Sequence, residues 1–321
     1  MDKDLQTAWE RIQSKYKQTG QDPMSYLEGL IQGNYTKYWD YIQVDTLLSL
    51  QHPKTDYPDE LIFIMYHQIT ELYFKLVLHE LHQVCHRGKK ISADGHDLGW
   101  NETLDPEFFK NRVLRMVRYF ESLTQSFAIM VDGMEPEQFL KFRMALLPAS
   151  GFQSAQYRFI ELACSPLINL ANKDQRASLA KESSVEALLN HIYWNKGATE
   201  LESGKKTLTL EHFETHYRDR FVSYAKQYNG KTLWHQFFSL SKEQQSHPGL
   251  VEALKQLDLQ VNVHWPLVHY KSAVRYLQRG SESVQATGGT NWQKYLPPRF
   301  QKRIFFPELW TPQEQDSWGT F

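Results

Sequence analysis

The chain has 321 residues, with 36 Lys or Arg against 37 Asp or Glu and a formal net charge of −1. The length is ample for a large core, and so even a charge balance sets up no overall field to draw nucleic acid or an anionic membrane. The two cysteines, Cys85 and Cys164, exclude a disulfide framework beyond one bridge and stand at no metal-ligand spacing.

From the N-terminus onward the periodicity is helical, with no strand–helix alternation. MDKDLQTAWERIQSKY at 1–16 is charged and lacks the apolar centre of a signal peptide. No unbroken apolar run reaches the ~18 residues of a bilayer span. A soluble protein of a reducing compartment, the cytoplasm, is expected. Residues 1–33 read as a helical arm on a single all-α domain covering 1–321.

After an aromatic-rich stretch beginning at Tyr38, a helix is predicted over 61–81. Pro58, Asp59 and Glu60 suit its first turn, where proline loses nothing and acids complement the dipole. Glu71 and Lys75 stand at i,i+4 and are expected to pair. Its opening turns, LIFIM, are apolar all round and are expected to be interior. The basic run Arg87-Gly88-Lys89-Lys90 reads as a solvated loop. Further helices are predicted over 107–131, 136–146, 153–171, 185–195, 210–227 and 249–279. Pro266 should kink or restart the last of these, and Gly280 is a plausible stop. Segment 196–208 is polar and expected to be exposed, and 281–292 reads as a flexible loop.

There is no HExxH helix, Walker loop, dinucleotide glycine fingerprint or nucleophile elbow. The thirteen histidines and many aromatics fit a haem protein better than a hydrolase. Phe63 and His67, at i,i+4, share a helix face. They could form a ring wall beside an imidazole that takes a ligand N–H, or His67 could be a core residue bonded to a carbonyl. Arg143, deep in the apolar FLKFRMALLPASGF, needs an anion, either a ligand carboxylate or an internal Asp or Glu. Pro148-Ala149-Ser150-Gly151 breaks the helix just beyond it. His264 and His269, five apart, fall on different faces and are not expected to bind one metal together. Either a haem ligand or an ordinary histidine fits His269. Thr287-Gly288-Gly289-Thr290 could be a loop that closes over a ligand or a plain linker.

Together these pieces resemble the tryptophan 2,3-dioxygenase family, one of the haem-dependent aromatic oxygenases. The resemblance is carried by YWDYIQVDTLLSLQ at 38–51, DELIFIMYHQ at 59–68 with ELYFK following, and FRMALLPASGFQSAQYRFIE at 142–161. His269 with Arg275, TGG at 287–289 and FFPELW at 305–310 add to it. It implies an all-α homotetramer with haem b, in which His269 ligates the iron and His67 bonds the indole N–H of L-tryptophan. Phe63 and Phe139 would flank the substrate, Arg143 would bind its carboxylate, and Thr287 would contact its amino-acid head. Ser150 and Gly151 would lie near the haem. Tyr38, Tyr41 and Ile42 match a segment that enters a neighbouring subunit's site. The implied reaction inserts O2 across the indole C2–C3 bond to give N-formylkynurenine. The loop before Thr287 is longer than the family's, and its flank reads ATGGTNW. This keeps open a related monooxygenase acting on another indole or aromatic amino acid. A haem sensor or carrier without turnover, and a cofactor-free helical interaction protein, are the alternatives of another class.

Overall fold

The computed structural model describes all residues except 1, 34–35, 87–88, 92, 94–96, 101–103, 183, 199–204, 280–281, 284–292, 294–295 and 321. They fall into two compact units, Met1–Gln51 and His52–Phe321. The first contains α1 (Lys3–Lys17), α2 (Pro23–Gln32), α3 (Tyr38–Tyr41) and α4 (Val44–Leu48). Asp2 and Asp22 cap the first two by accepting from the N–H groups of Asp4 and Met24. Tyr16 and Tyr26 bring α1 and α2 together, with ring centroids 5.1 Å apart. No residue of the four helices is buried.

The second unit is built on α5 (Pro58–Cys85), α6 (Pro106–Ser126), α9 (Ala155–Cys164) and α16 (Leu250–Leu259). Helix α6 packs against both α5 and α16, and α9 against α5. The reason lies in spacing. Phe109, Val113, Met116, Phe120 and Leu123 recur every three or four residues and form one wholly buried stripe of α6. Asp105 starts that helix, taking the Phe108 N–H at 2.7 Å ahead of Pro106. Between these lie α7 (Ala128–Asp132), α8 (Pro136–Phe142), 3₁₀ turns at Arg143–Leu146 and Gly151–Gln153, and α10 (Leu167–Leu170) to α15 (Lys242–Gln245). Among these, α12 is Tyr193–Gly197, α13 is Leu208–Tyr228 and α14 is Leu233–Ser239. Among the described residues the fold is all-α apart from two short hairpins, Lys89–Ile91 with Asp97–Trp100 and Gln278–Arg279 with Glu282–Ser283. The predicted basic loop therefore gives Lys89 and Lys90 to a strand, while Arg87 and Gly88 lie outside the described residues.

Three expectations are corrected. LIFIM is not interior: Leu61, Met65, Ile69, Leu72 and Leu76 form an outward stripe, 38–49% exposed, while Tyr66, Phe74, Val77 and Leu81 bury the opposite face. By length and composition α5 is long and apolar enough to cross a bilayer, although His67, Gln68, Glu71 and Lys75 interrupt it and no unbroken apolar run of that length occurs. Glu71 does not pair with Lys75. Its carboxylate and carbonyl both accept from Gln156 Nε2, at 2.7 and 2.8 Å, which ties α5 to α9. In the segment expected to be exposed, Lys205, Lys206 and Leu208 are exposed, but Ala198 and Thr207 are buried, the Thr207 hydroxyl accepting from the Leu210 N–H to cap α13.

The predicted helix 249–279 is three pieces. After α16, Gln260–His264 form a π-turn, and α17 (Trp265–Leu277) restarts with Pro266 in its first turn, as the proline requires. Gly280 lies outside the described residues. Nearby, Arg158 and Glu161 of α9, Tyr193 of α12 and Arg303 form a buried cluster. Tyr193 donates to Glu161 at 2.6 Å, and Arg158 and Arg303 both bond that carboxylate and the Tyr193 hydroxyl. One carboxylate thus stands against two guanidinium groups. The faces of Trp194 and Phe152, 4.9 and 5.2 Å from the Arg158 guanidinium, help to hold the surplus charge.

Candidate active site

On α5, His67 and Phe63 share one face, with ring centroids 4.1 Å apart. His67 Nδ1 lies 2.7 Å from the Phe63 carbonyl one turn back. A carbonyl only accepts, so Nδ1 carries the proton and Nε2 keeps a bare lone pair. Burial holds the ring neutral by pulling its pKa below the usual histidine value. Phe63 also meets Phe142 at 5.7 Å and Phe139 at 6.2 Å, and Phe139 packs on Tyr276 of α17 at 4.7 Å. An aromatic wall from α5 and α8 therefore stands beside His67.

Arg143 follows Phe142 directly, at the start of the 3₁₀ turn, and is buried at 5% exposure. Burial pulls its pKa below the ordinary arginine value. The helix break predicted after it is real. Thr209 of α13 donates to the Pro148 carbonyl at 3.0 Å, and Gln153 donates to the Thr209 carbonyl at 3.2 Å. Ser150 has a structural task in this turn, since its hydroxyl accepts from Phe152 N–H and its own N–H bonds Gln153 in a capping box. Gly151 faces the histidine: a Cβ there would lie 4.0 Å from His67 Nε2.

His269 repeats the arrangement of His67. Its Nδ1 lies 3.2 Å from the carbonyl of Trp265, again one turn back, and the same reasoning leaves Nε2 with the lone pair. The ring sits between Trp265 and Phe127, with centroids 4.5 and 4.6 Å away. Burial pushes its pKa down to about 4, the Trp265 bond opposes this, and nearby His67 lowers it further. His264, in the π-turn, is half-buried and feels Glu121 instead.

The fold brings together Phe63, His67, Phe139, Gly151 and His269, with Arg143 and Ser150 on the adjoining turns. Thr287 lies outside the described residues. Tyr38 and Tyr41, in the first unit, are 72% and 79% exposed, and Ile42 is exposed as well. Sequence reasoning missed Phe142, Phe127, Trp265 and Tyr276. Trp265 was within reach, because an aromatic residue four before the histidine occurs at both Phe63–His67 and Trp265–His269. Phe127 comes from the junction between α6 and α7, and nothing local marks it.

The donor chemistry at His269 fits a haem iron: a neutral imidazole, its tautomer fixed by its own helix, whose Nε2 would be the atom to hold the iron. Among the described residues no group of three or more His, Cys, Asp or Glu could hold a bare metal ion. A helical frame thus presents two such imidazoles beside an aromatic wall, a donor set of the kind that helical haem proteins use. The tryptophan 2,3-dioxygenase family model matches residues 28–190. Tryptophan 2,3-dioxygenase of Bacillus cereus (strain ATCC 10987) is 30% identical over 85% of this chain and 90% of its own length. That of Ruegeria sp. (strain TM1040) is 32% identical over the same shares, and that of Arthrobacter sp. (strain FB24) 29% over 85% and 89%. The chain belongs to the tryptophan 2,3-dioxygenase family and is an enzyme of that type.

Proposed function

We propose that this enzyme holds haem b through His269 Nε2 and uses O2 to cleave the indole C2–C3 bond of L-tryptophan, giving N-formylkynurenine. The observation that carries this reading is the matched pair of imidazoles, each tied by Nδ1 to its own helix and each with Nε2 bare. Bound haem supplies the oxygen chemistry, and the protein supplies position and exclusion.

His67 Nε2, a neutral acceptor, takes the indole N–H and so sets the rotation of the ring. Phe63, Phe139 and Phe142 hold its faces and edges in an apolar setting that sheds water. The buried guanidinium of Arg143 binds the carboxylate, and Thr287 contacts the amino-acid head. Ser150 and Gly151 keep the turn narrow beside His67. The indole is thereby fixed at both ends, and fixed geometry is what lowers the barrier to a two-reactant step.

The working form in this reading is a cytoplasmic homotetramer of one catalytic domain with a 1–33 arm, in which Tyr38, Tyr41 and Ile42 reach a neighbour's site. Their exposure supports it, as does the outward apolar stripe of α5. We read α5 as a core and assembly helix because its inner face carries His67 and the buried Glu60 and Glu80. The reading includes no nucleic-acid or membrane partner. The test is to supply reduced, haem-loaded protein with L-tryptophan and 18O2 and weigh the product. A gain of two labelled atoms is expected. One labelled atom means a monooxygenase, and binding without product means a sensor or carrier. His269→Ala should lose the five-coordinate ferrous spectrum, and an unchanged spectrum would move the ligand elsewhere.

A further inference from the structure

The helix that carries His269 is interrupted where a main-chain donor is missing. In the π-turn Gln260–His264, the Trp265 N–H reaches back five residues to the Gln260 carbonyl. In that register the donor facing the Val261 carbonyl is residue 266, which is a proline and has no N–H. Val261 is completely buried, so a carbonyl left without a donor there would be costly. The phenol of Tyr157, on α9, donates to it at 2.9 Å. The same hydroxyl accepts from Arg303 Nη1 at 3.1 Å, so both its roles are assigned and its direction is set. Arg303 is anchored in turn by Glu161 and Tyr193.

We infer that Tyr157 is a positioning residue for His269: its hydroxyl supplies the hydrogen bond that Pro266 removes, and so sets how the proximal helix leaves the π-turn. The link to the imidazole is short. The Trp265 N–H makes the five-residue bond, and the Trp265 carbonyl orients His269 Nδ1. Letting the turn relax rotates that carbonyl and the ring with it. The cluster also touches the other wall, because Arg158 reaches the Phe152 carbonyl at 3.5 Å in the turn that sets Gly151 against His67. The inference rests on His269 being the iron ligand.

The experiment is resonance Raman spectroscopy of the ferrous, haem-loaded full chain, following the iron–imidazole stretching band in wild type, His269→Ala, Tyr157→Phe and Tyr157→Phe/Pro266→Ala. In Tyr157→Phe the band should shift and broaden, and kcat should fall while KM for tryptophan stays within about twofold. Alanine at 266 returns a main-chain N–H, so the double variant should recover the wild-type band. A wild-type band in Tyr157→Phe overturns the inference. A shifted band that the second substitution does not rescue also overturns it, because the effect would then run through Arg303. Should Tyr157→Phe not accumulate as folded protein, the double variant decides: folded with the wild-type band supports the inference, and failure to fold overturns it. A band that survives in His269→Ala removes the ligand assignment itself, and the inference falls with it. That result is distinct from a His269-dependent band indifferent to Tyr157.

Discussion

At the scale of single residues, the site depends on which nitrogen of an imidazole is left over. At His67 and at His269 the carbonyl four residues back accepts a hydrogen bond from Nδ1–H, and burial keeps each ring neutral. The result is one acceptor suited to an indole N–H and one suited to a metal, from the same residue type and the same local geometry. Arg143 is the contrasting case, a charge kept where charge is disfavoured. In the proposed site a substrate carboxylate offsets that cost. Replacing Arg143 with alanine should therefore raise KM for tryptophan about 30-fold or more, equivalent to roughly 2 kcal/mol or more for a buried charge pair. The haem spectrum should not change. Steady-state kinetics beside the absorption spectrum check both halves, and wild-type kinetics would end the carboxylate assignment.

At the scale of elements, short connections aim α5 and α8. The Asp59 carboxylate accepts from Glu135 N–H at 2.6 Å, fastening the start of α8 to the start of α5. Glu60 turns back on the preceding loop, where it accepts from the N–H groups of Lys54 and Thr55 at 2.8 Å each. Burial alone would raise the Glu60 pKa, but these bonds and the Thr55 hydroxyl more than offset it, so the carboxyl sits below its ordinary value. The native state thus binds this proton less readily than the unfolded chain. The stabilisation is complete above the unfolded carboxylate pKa of about 4.3 and is lost as pH falls through the lower folded value. Glu60→Gln should cost about 1–3 kcal/mol at pH 7. Its difference from wild type should shrink as pH drops below about 4. Urea denaturation at a series of pH values measures this, and a difference that does not change with pH would show that the charge is irrelevant.

At the scale of the molecule, the outward stripe of α5 is the largest departure from expectation. LIFIM looked interior because every side chain is apolar, yet Leu61 and Met65 face out with Ile69, Leu72 and Leu76. A continuous apolar helix face on a 28-residue helix is what an interface between subunits needs. If α5 joins subunits in the proposed homotetramer, Leu72→Glu should give smaller species in sedimentation velocity, with far-ultraviolet circular dichroism unchanged. An unaltered sedimentation coefficient would place the contact elsewhere.

What the sequence determined by itself was local, because it depends on spacing along one helix. The helical regions, the restart at Pro266, the pairing of Phe63 with His67, and the break at Pro148–Gly151 after Arg143 all follow from periods of three to four residues and from what proline and glycine permit, whereas several predicted spans, such as 153–171 and 185–195, are each two shorter helices. Motif order was legible too, and it carried the family. Tertiary structure alone decided the rest. It set Glu71 against Gln156 rather than Lys75, brought Phe127 to His269, and joined Glu161 to Arg303 across 142 residues of chain. It also placed the Tyr157 hydroxyl on the Val261 carbonyl. An apolar or charged letter states that a side chain needs a partner. Which partner it meets, or whether that partner belongs to another subunit, is settled only when distant helices are packed together.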